Sequence, residues 1–261
     1  MKKHYLVILI LSIAFAALAK ESQLTVGANT MSMDYMEYKA NGDRFDSETA
    51  DTLPGFSIGY KTHINDGVDG DCGYIDAGFS HFYGDTTYIG SYQGGNYGDL
   101  VTATHNHISE ATIGYSEDKV LDQALWSMRV GIGYRFWERV LNGGHNEQYV
   151  WPYGSLSTGL SGNIFPDDNI GISVEYHRAI SPKMKSNMFG TFDLGRTDGY
   201  TVSIPWIHTI TSEWALKFAY TYQTWDIEKS NIIVDTTGIP WIEPRSESNF
   251  NIFNAVLIYS Y

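Results

Sequence analysis

NFNIFNAVLIYSY, residues 249–261, decides the fold. Tyr261, Tyr259, Leu257, Ala255 and Phe253 occupy every second position, with Ser260, Ile258, Val256 and Asn254 in the gaps. Side chains alternate across a β-strand, so one face of this segment is uniformly apolar and ends on an aromatic ring. A water-soluble sheet has no use for such a face on a terminal strand. A membrane barrel closes on that strand and sets its last aromatic at the lipid interface. The expectation is a transmembrane β-barrel, which the alternation in the rest of the chain tests.

The first nineteen residues read as a signal peptide. Lys2 and Lys3 give a positive start, Tyr5 to Phe15 is apolar, and Ala17-Leu18-Ala19 supplies small residues for cleavage. That run is too short to span a bilayer as a helix, and no later segment approaches the roughly 20 apolar residues a helical span needs. No Cys follows the cleavage site, so a lipoprotein anchor is not expected. Residues 20–261 read as one barrel domain. The net charge of -13 becomes -15 without Lys2 and Lys3, which disfavours nucleic acid and anionic lipid surfaces as partners. Cys72 is the only cysteine, so no internal disulfide forms. No cofactor is expected.

Alternating apolar runs recur along the chain. They begin at Leu24, Phe56, Ile75, Ala111, Trp126, Leu156, Ile170, Tyr200, Trp214 and Phe253. The clearest places Trp126, Met128, Val130, Ile132, Tyr134 and Phe136 against Ser127, Arg129, Gly131, Gly133 and Arg135. The fold class is all-β: an antiparallel transmembrane barrel of ten strands, with eight or twelve as alternatives. Long connections at 39–52, 84–99, around Asn142-Gly143-Gly144, 181–198 and 228–247 alternate with tight turns at 65–71, 117–122, 166–169 and 211–213. Short periplasmic turns and long outer loops follow this rule. A soluble sandwich or lipocalin-like barrel matches the composition but has no reason to keep it. Tyr149, Trp151 and Tyr153 fall out of phase, which suggests a bulge near Pro152 or a section above the membrane. A turn centred near 119.5 would oppose Glu110 to Arg129 and Ile113 to Trp126. One centred near 68.5 would oppose Lys61 to Asp76.

The inward set is then Lys61, His63, Asp76, Glu110, Arg129, Arg135, Glu175, His177 and Lys217. Eight-stranded barrels are just filled by side chains and porins of sixteen are not. Ten strands lie near the filled end, so the set reads as a mixed-sign network filling the lumen. A narrow channel is the alternative. Trp126, Trp206, Trp214, Tyr259 and Tyr261 read as interfacial girdle residues. His105 and His107 share a face, but no further metal ligand can be placed beside them. Asp66, Asp69 and Asp71 read as a solvated turn, since a calcium loop needs more oxygen ligands.

Met33-Asp34-Tyr35-x-Glu37-Tyr38, Phe45-Asp46-Ser47-Glu48, Leu53-Pro54-Gly55-Phe56 and Gly84-Asp85-Thr86-Thr87-Tyr88-x-Gly90 resemble small proteobacterial outer-membrane barrels without an assigned activity. The resemblance covers about the first hundred residues and the last strand; it implies a barrel and no reaction. The spacing His107-x-Ser109 is similar to that of outer-membrane lipid A deacylases, where a His activates a Ser nucleophile. No acidic residue matches that family's later spacing, and this chain has two more strands. Omptin proteases share the strand count only: no Asp-x-His occurs, and Asp69-Gly70-Asp71 falls in a periplasmic turn. The expected protein is a monomeric, non-enzymatic outer-membrane barrel with a largely filled lumen and a structural or surface-interaction role. The second reading is a narrow porin-like channel. The third is a lipid-modifying hydrolase using His107 and Ser109. Expected partners are outer-membrane lipid and, through Phe253, Leu257, Tyr259 and Tyr261, the barrel-assembly machinery.

Overall fold

The computed structural model describes residues 22–66, 72–91, 96–141, 143–234 and 238–261, the side chains at 65 and 66 excepted. The leader and most of the 65–71 turn, with Asp69 and Asp71, therefore lie outside the described residues. Among the described residues fourteen strands form: β1 Ser22–Tyr38, β2 Arg44–Asp66, β3 Cys72–Gly90, β4 Leu100–Leu121, β5 Ala124–Leu141, β6 Asn146–Phe165, β7 Asp168–Ala179, β8 Lys183–Ser186, β9 Gly190–Asp193, β10 Thr197–Thr209, β11 Trp214–Ile227, β12 Ile232–Val234, β13 Pro240–Ile242 and β14 Arg245–Ser260. Ten of them, β1 to β7 with β10, β11 and β14, close an antiparallel ring in which β14 pairs with both β1 and β11. Closure leaves no edge strand to satisfy in lipid. The ring has ten members, not eight or twelve.

The stagger of the ring can be walked. From Leu24 the hydrogen-bonded neighbours run through Tyr60, Ala77, Ile113, Ile132, Gly154, Arg178, Asp198, Asp226 and Glu247, and return to β1 at Met36, twelve residues along. With about 3.3 Å per residue and about 4.8 Å between strands, that stagger tilts the strands by about 40°.

A tilted strand crosses the hydrocarbon in about 9–11 residues. β2 has 23 residues and β4 has 22, so half of the barrel stands clear of the membrane. The lipid-facing residues locate that half. On β4 the outward face reads Tyr115, Ile113, Ala111 and then Ser109, His107, His105; on β14 it reads Phe253 and then Asn251, Asn249. The belt thus runs from the tight turns to about Ser109 and Asn251. Beyond it, segments expected as loops are strand: β2 begins at Arg44, β3 runs to Gly90, and 181–198 and 228–247 hold two small hairpins. β8 of one hairpin pairs onto the upper end of β6.

Two expectations are corrected. The turn after β4 is not centred at 119.5, because β4 continues to Leu121 and turns at Asp122-Gln123. Asp122 has φ 50°, a conformation Asp tolerates in two-residue hairpins. Glu110 therefore opposes Arg135, not Arg129, and Ile113 opposes Ile132, not Trp126. Secondly, no bulge occurs near Pro152: β6 pairs with β5 without interruption, and Tyr149, Trp151 and Tyr153 point inward in phase with Ser155. Lys61 does oppose Asp76.

Candidate functional site

The interior is layered. Nearest the tight turns, the Arg129 guanidinium grips Asp76 at 2.7–3.0 Å and reaches Glu175 at 3.2 Å, while Lys61 pairs with Asp118 at 3.3 Å. Arg129 lies flat because it crosses Gly114, where a Cβ would sit 2.5 Å from the guanidinium carbon. Lys217 also belongs to this layer, and among the described residues no ion pair reaches it. Above it, Arg135 binds Glu110 at 2.8 Å and Gln223 at 2.9 Å, and the Tyr153 hydroxyl donates to Glu110 at 2.6 Å. His177 hydrogen-bonds Thr201 at 2.8 Å and stacks on Trp225. His63 packs on Tyr74.

The next layer was missed in the sequence. Tyr35, Trp137, Tyr149, Trp225 and Phe250 are 0 % exposed, and Trp151 and Tyr153 1 %. They arise from β1, β5, β6, β11 and β14 and meet in the middle of the ring. Trp137 lies 5.0 Å from Tyr35 and 5.2 Å from Tyr149 between ring centroids, and Trp151 lies 5.3 Å from Trp225. Met31, Met33, Leu53, Phe82, Ile108 and, from the β8–β9 hairpin, Met184 and Phe192 complete this core. Three of its rings lie over a glycine directly across the ladder: Tyr153 over Gly133, Trp225 over Gly199 and Phe82 over Gly55. A Cβ at Gly133 would come within 2.1 Å of the Tyr153 ring, so the glycine makes room for the aromatic.

Above the aromatics, outside the membrane belt, Arg139 is buried among carboxylates. It contacts Glu48 and Glu147 at 2.8 Å and Glu37 at 3.5 Å, and its guanidinium carbon sits 4.5 Å from the centre of the Tyr35 ring. Glu48 also accepts from Thr86 and Asn106, and Tyr149 donates to Glu243. Asp46 opposes Glu37 across the ladder. Burial, opposed by Arg139, raises Glu37 to about 7. Burial and the neighbouring Glu37 charge raise Asp46 to about 7, and burial with Glu37 pushes Glu243 well above the usual carboxylate range. Burial would lower Arg139, but Glu48 and Glu147 hold it well above its ordinary value, so it stays charged. Arg139 cannot by itself neutralise five carboxylates, and the raised groups relieve the excess charge by taking up protons.

His107 and Ser109 are not in the lumen. They face outward at the upper limit of the apolar belt, and the hydrogen bond of Ser109 is made with His81, Oγ to Nδ1 at 2.9 Å, not with His107. His107 stacks on His81 at 5.7 Å, His105 lies edge-on to His107 at 4.9 Å, and Asp85 holds His105 at 2.8 Å. Among the described residues no group of three potential ligands is placed to hold a metal. At the opposite limit of the belt, Trp126, Trp206 and Trp214 face outward near the tight turns, Trp214 packs on Tyr259 at 4.6 Å, and Tyr259 stacks on Tyr261.

No protein-family model and no curated protein sequence matches this chain. Solved structures do. The outer membrane protease OmpT from Escherichia coli superposes with a TM-score of 0.61 at 11% identity, covering 92% of this chain and 96% of its own. The fold is that of an outer-membrane β-barrel. Looser matches include the attachment invasion locus protein Ail of Yersinia pestis, with TM-score 0.38, 11% identity and coverage of 94% and 100%, and the P. putida toluene transporter TodX, with 0.35, 10%, and coverage of 95% and 92%. At such identity the likeness to the protease extends to the fold and to no residue.

Proposed function

We propose that this protein is a closed outer-membrane barrel that acts through its projecting outer half, in a structural or surface-interaction role, and does not conduct solutes. The observation that carries this reading is the aromatic layer. Tyr35, Trp137, Tyr149, Trp225 and Phe250 come from strands all round the ring and leave no ring exposed to water. A pore would need a continuous polar path, and the Arg135–Glu110 and Arg139–Glu48 pairs are separated by these rings. The outer hairpins expose Met188, Ile232, Val234 and Ile242, apolar side chains well beyond the lipid belt. Apolar groups on an otherwise polar outer face suit contact with another surface. On this reading the chain is exported, inserts as a monomer in contact with outer-membrane lipid, and offers Phe253, Leu257, Tyr259 and Tyr261 to the assembly machinery. Phe253, Leu257 and Tyr261 stand exposed on the lipid face of the closing strand.

Single-channel recording in planar bilayers tests the reading. Wild type gives a flat baseline, whereas Trp137→Gly combined with Tyr149→Gly gives resolved steps. Reproducible steps from the wild type would overturn it.

A further inference from the structure

On three neighbouring strands the lipid-facing side chains change character at one level. β3 passes from Ile75, Ala77 and Phe79 to His81, Tyr83 and Asp85. β4 passes from Tyr115, Ile113 and Ala111 to Ser109, His107 and His105. β5 passes from Ile132, Tyr134 and Phe136 to Glu138. Elsewhere the same boundary carries side chains with no nucleophile–base pair: on β14 and its neighbours, Asn249 and Asn251 are tied to Tyr222 and Tyr220. Two other hydroxyl–imidazole pairs occur among the described residues, His177 with Thr201 inside the ring and His145 with Ser186 at the outer end of the barrel; at the lipid-facing boundary, among the described residues, the β3–β5 face alone carries one. Ser109 and His81 are direct cross-strand partners, Oγ to Nδ1 at 2.9 Å.

We propose that Ser109 and His81 form an acyl-ester hydrolysing site on the outside of the barrel, with membrane lipids bearing ester-linked fatty acyl chains as substrates. The proposal goes beyond the closed-lumen reading and departs from the expectation of no enzymatic role. Depth is the first argument. Ester carbonyls of bilayer lipids lie where hydrocarbon gives way to headgroups, and Ser109 is the residue at which β4 makes that change. Shape is the second. Below Ser109, Ala111 lies across the ladder from Phe79 on one side and Tyr134 on the other. A small residue between two rings forms a furrow in which an acyl chain can lie, leading to the hydroxyl. Chemistry is the third. A Ser becomes nucleophilic when a neighbouring base accepts its proton, and a hydrogen bond of 2.9 Å puts His81 in reach.

The steps balance without any redox partner. Ser109 Oγ bonds to the ester carbonyl carbon while its proton passes to His81 Nδ1. The carbon–oxygen bond to the lipid alcohol breaks, and His81 returns the proton to that alcohol. Water then attacks the acyl-serine and gives a proton to His81; the acyl–Oγ bond breaks and Oγ takes the proton back, releasing the fatty acid. His107, stacked on His81 and opposite Glu138 across the β4–β5 ladder, is the neighbouring donor for the oxyanion. His105, held by Asp85, closes the outer end of the row.

The test uses the full mature chain refolded in detergent, in separate mixtures with phosphatidylethanolamine and with lipopolysaccharide, and measures free fatty acid by mass spectrometry. Heat-modifiable gel migration verifies that each variant is folded. Wild type releases fatty acid from at least one lipid class, and which class responds identifies the source of the ester. Ser109→Ala loses the activity by about 10² or more, and His81→Gln, which keeps a donor but no base, falls by about 10²–10⁴. His107→Gln keeps a donor and falls about tenfold, less than the full loss of an oxyanion donor. An alkyl fluorophosphonate labels Ser109 in wild type and nothing in Ser109→Ala. Folded wild type that releases no fatty acid from either lipid, or Ser109→Ala with wild-type release, overturns the proposal. A larger loss in His107→Gln than in His81→Gln overturns the assignment of the base.

Discussion

Replacing Arg139 by methionine tests the logic of the outer half. The side chain is 1 % exposed and, among the described residues, is the only Lys or Arg in contact with Glu37, Glu48 and Glu147, while His145 also lies 3.5 Å from Glu147. Methionine keeps much of the volume stacked against Tyr35 and Trp137 and removes the charge. Breaking a buried pair from one side costs about 3–5 kcal/mol, because the remaining carboxylates stay buried without a counter-charge. At about 1.4 kcal/mol per decade, this is a factor of roughly 10² to 4 × 10³ in the folding equilibrium. The carboxylates limit the loss by taking up protons, so the cost depends on pH. It is largest at pH 8 and falls towards the roughly 1–3 kcal/mol of unmet hydrogen bonds at pH 5. Urea titration of the refolded protein in lipid vesicles, followed by tryptophan emission, reads both values, since Trp137 is in contact with the substituted position. Adding Glu48→Gln to the variant returns part of the loss at pH 8, because one stranded charge is gone. A variant as stable as wild type at pH 8, or one whose loss is the same at pH 5 and pH 8, would refute the reasoning.

The raised carboxyls give a second outcome. Glu37 and Asp46 stand at about 7 in the folded protein, above their ordinary 4.5 and 3.8. The folded state then holds more protons between those limits, and stability from these groups is complete below about pH 4 and lost as pH rises through about 7. The amide protection factors of Tyr35, Trp137 and Tyr149, corrected for the base-catalysed rise in intrinsic exchange, fall over that rise in wild type and less in Glu243→Gln, which removes one charge while keeping an acceptor for Tyr149; protection factors that hold or increase contradict the account. Gly133→Val forces the Tyr153 ring away and overpacks the core, costing about 1–3 kcal/mol, read as an earlier midpoint of heat-modifiable migration; an unchanged midpoint speaks against the ring-over-glycine packing. Leu257→Arg places a charge midway along the lipid face of the closing strand, costing about 2–4 kcal/mol at mid-membrane, and lowers the amount of folded barrel recovered from membranes. Recovery equal to wild type would put Leu257 outside the lipid belt.

The sequence showed what faces lipid, because period-2 alternation against polar residues leaves little choice of side. It hid what faces inward above the membrane. In the outer half both faces carry aromatics, so Tyr149, Trp151 and Tyr153 looked like a phase error when they continue the inward phase of Ser155 and Ser157. The glycines opposite Tyr153, Trp225 and Phe82 were the available signal, since a bare backbone across from a large ring marks a packed interior. Register failed at β4 because the acidic, polar run Glu117–Asp122 reads as a turn, although all but its last residue is strand. The Ser109–His81 pair was equally hidden: the nearby spacing suggested His107, and the true partner lies on another strand across a hairpin whose centre the sequence did not fix.

The aromatic layer draws on both ends of the chain, Tyr35 near the start and Phe250 near the finish. The Trp137–Tyr149 stack lies within the β5–β6 pair, but the contact of Trp137 with Phe250, and with it the complete layer, waits until the terminal strand has docked beside the first. A barrel inserting hairpin by hairpin therefore stays wet inside until the final seam zips, and the dry interior is acquired in one late, cooperative event. The steep cost of such distant contacts falls on that last step. Any lesion that stalls the seam leaves an open, leaky cylinder where a sealed one should stand.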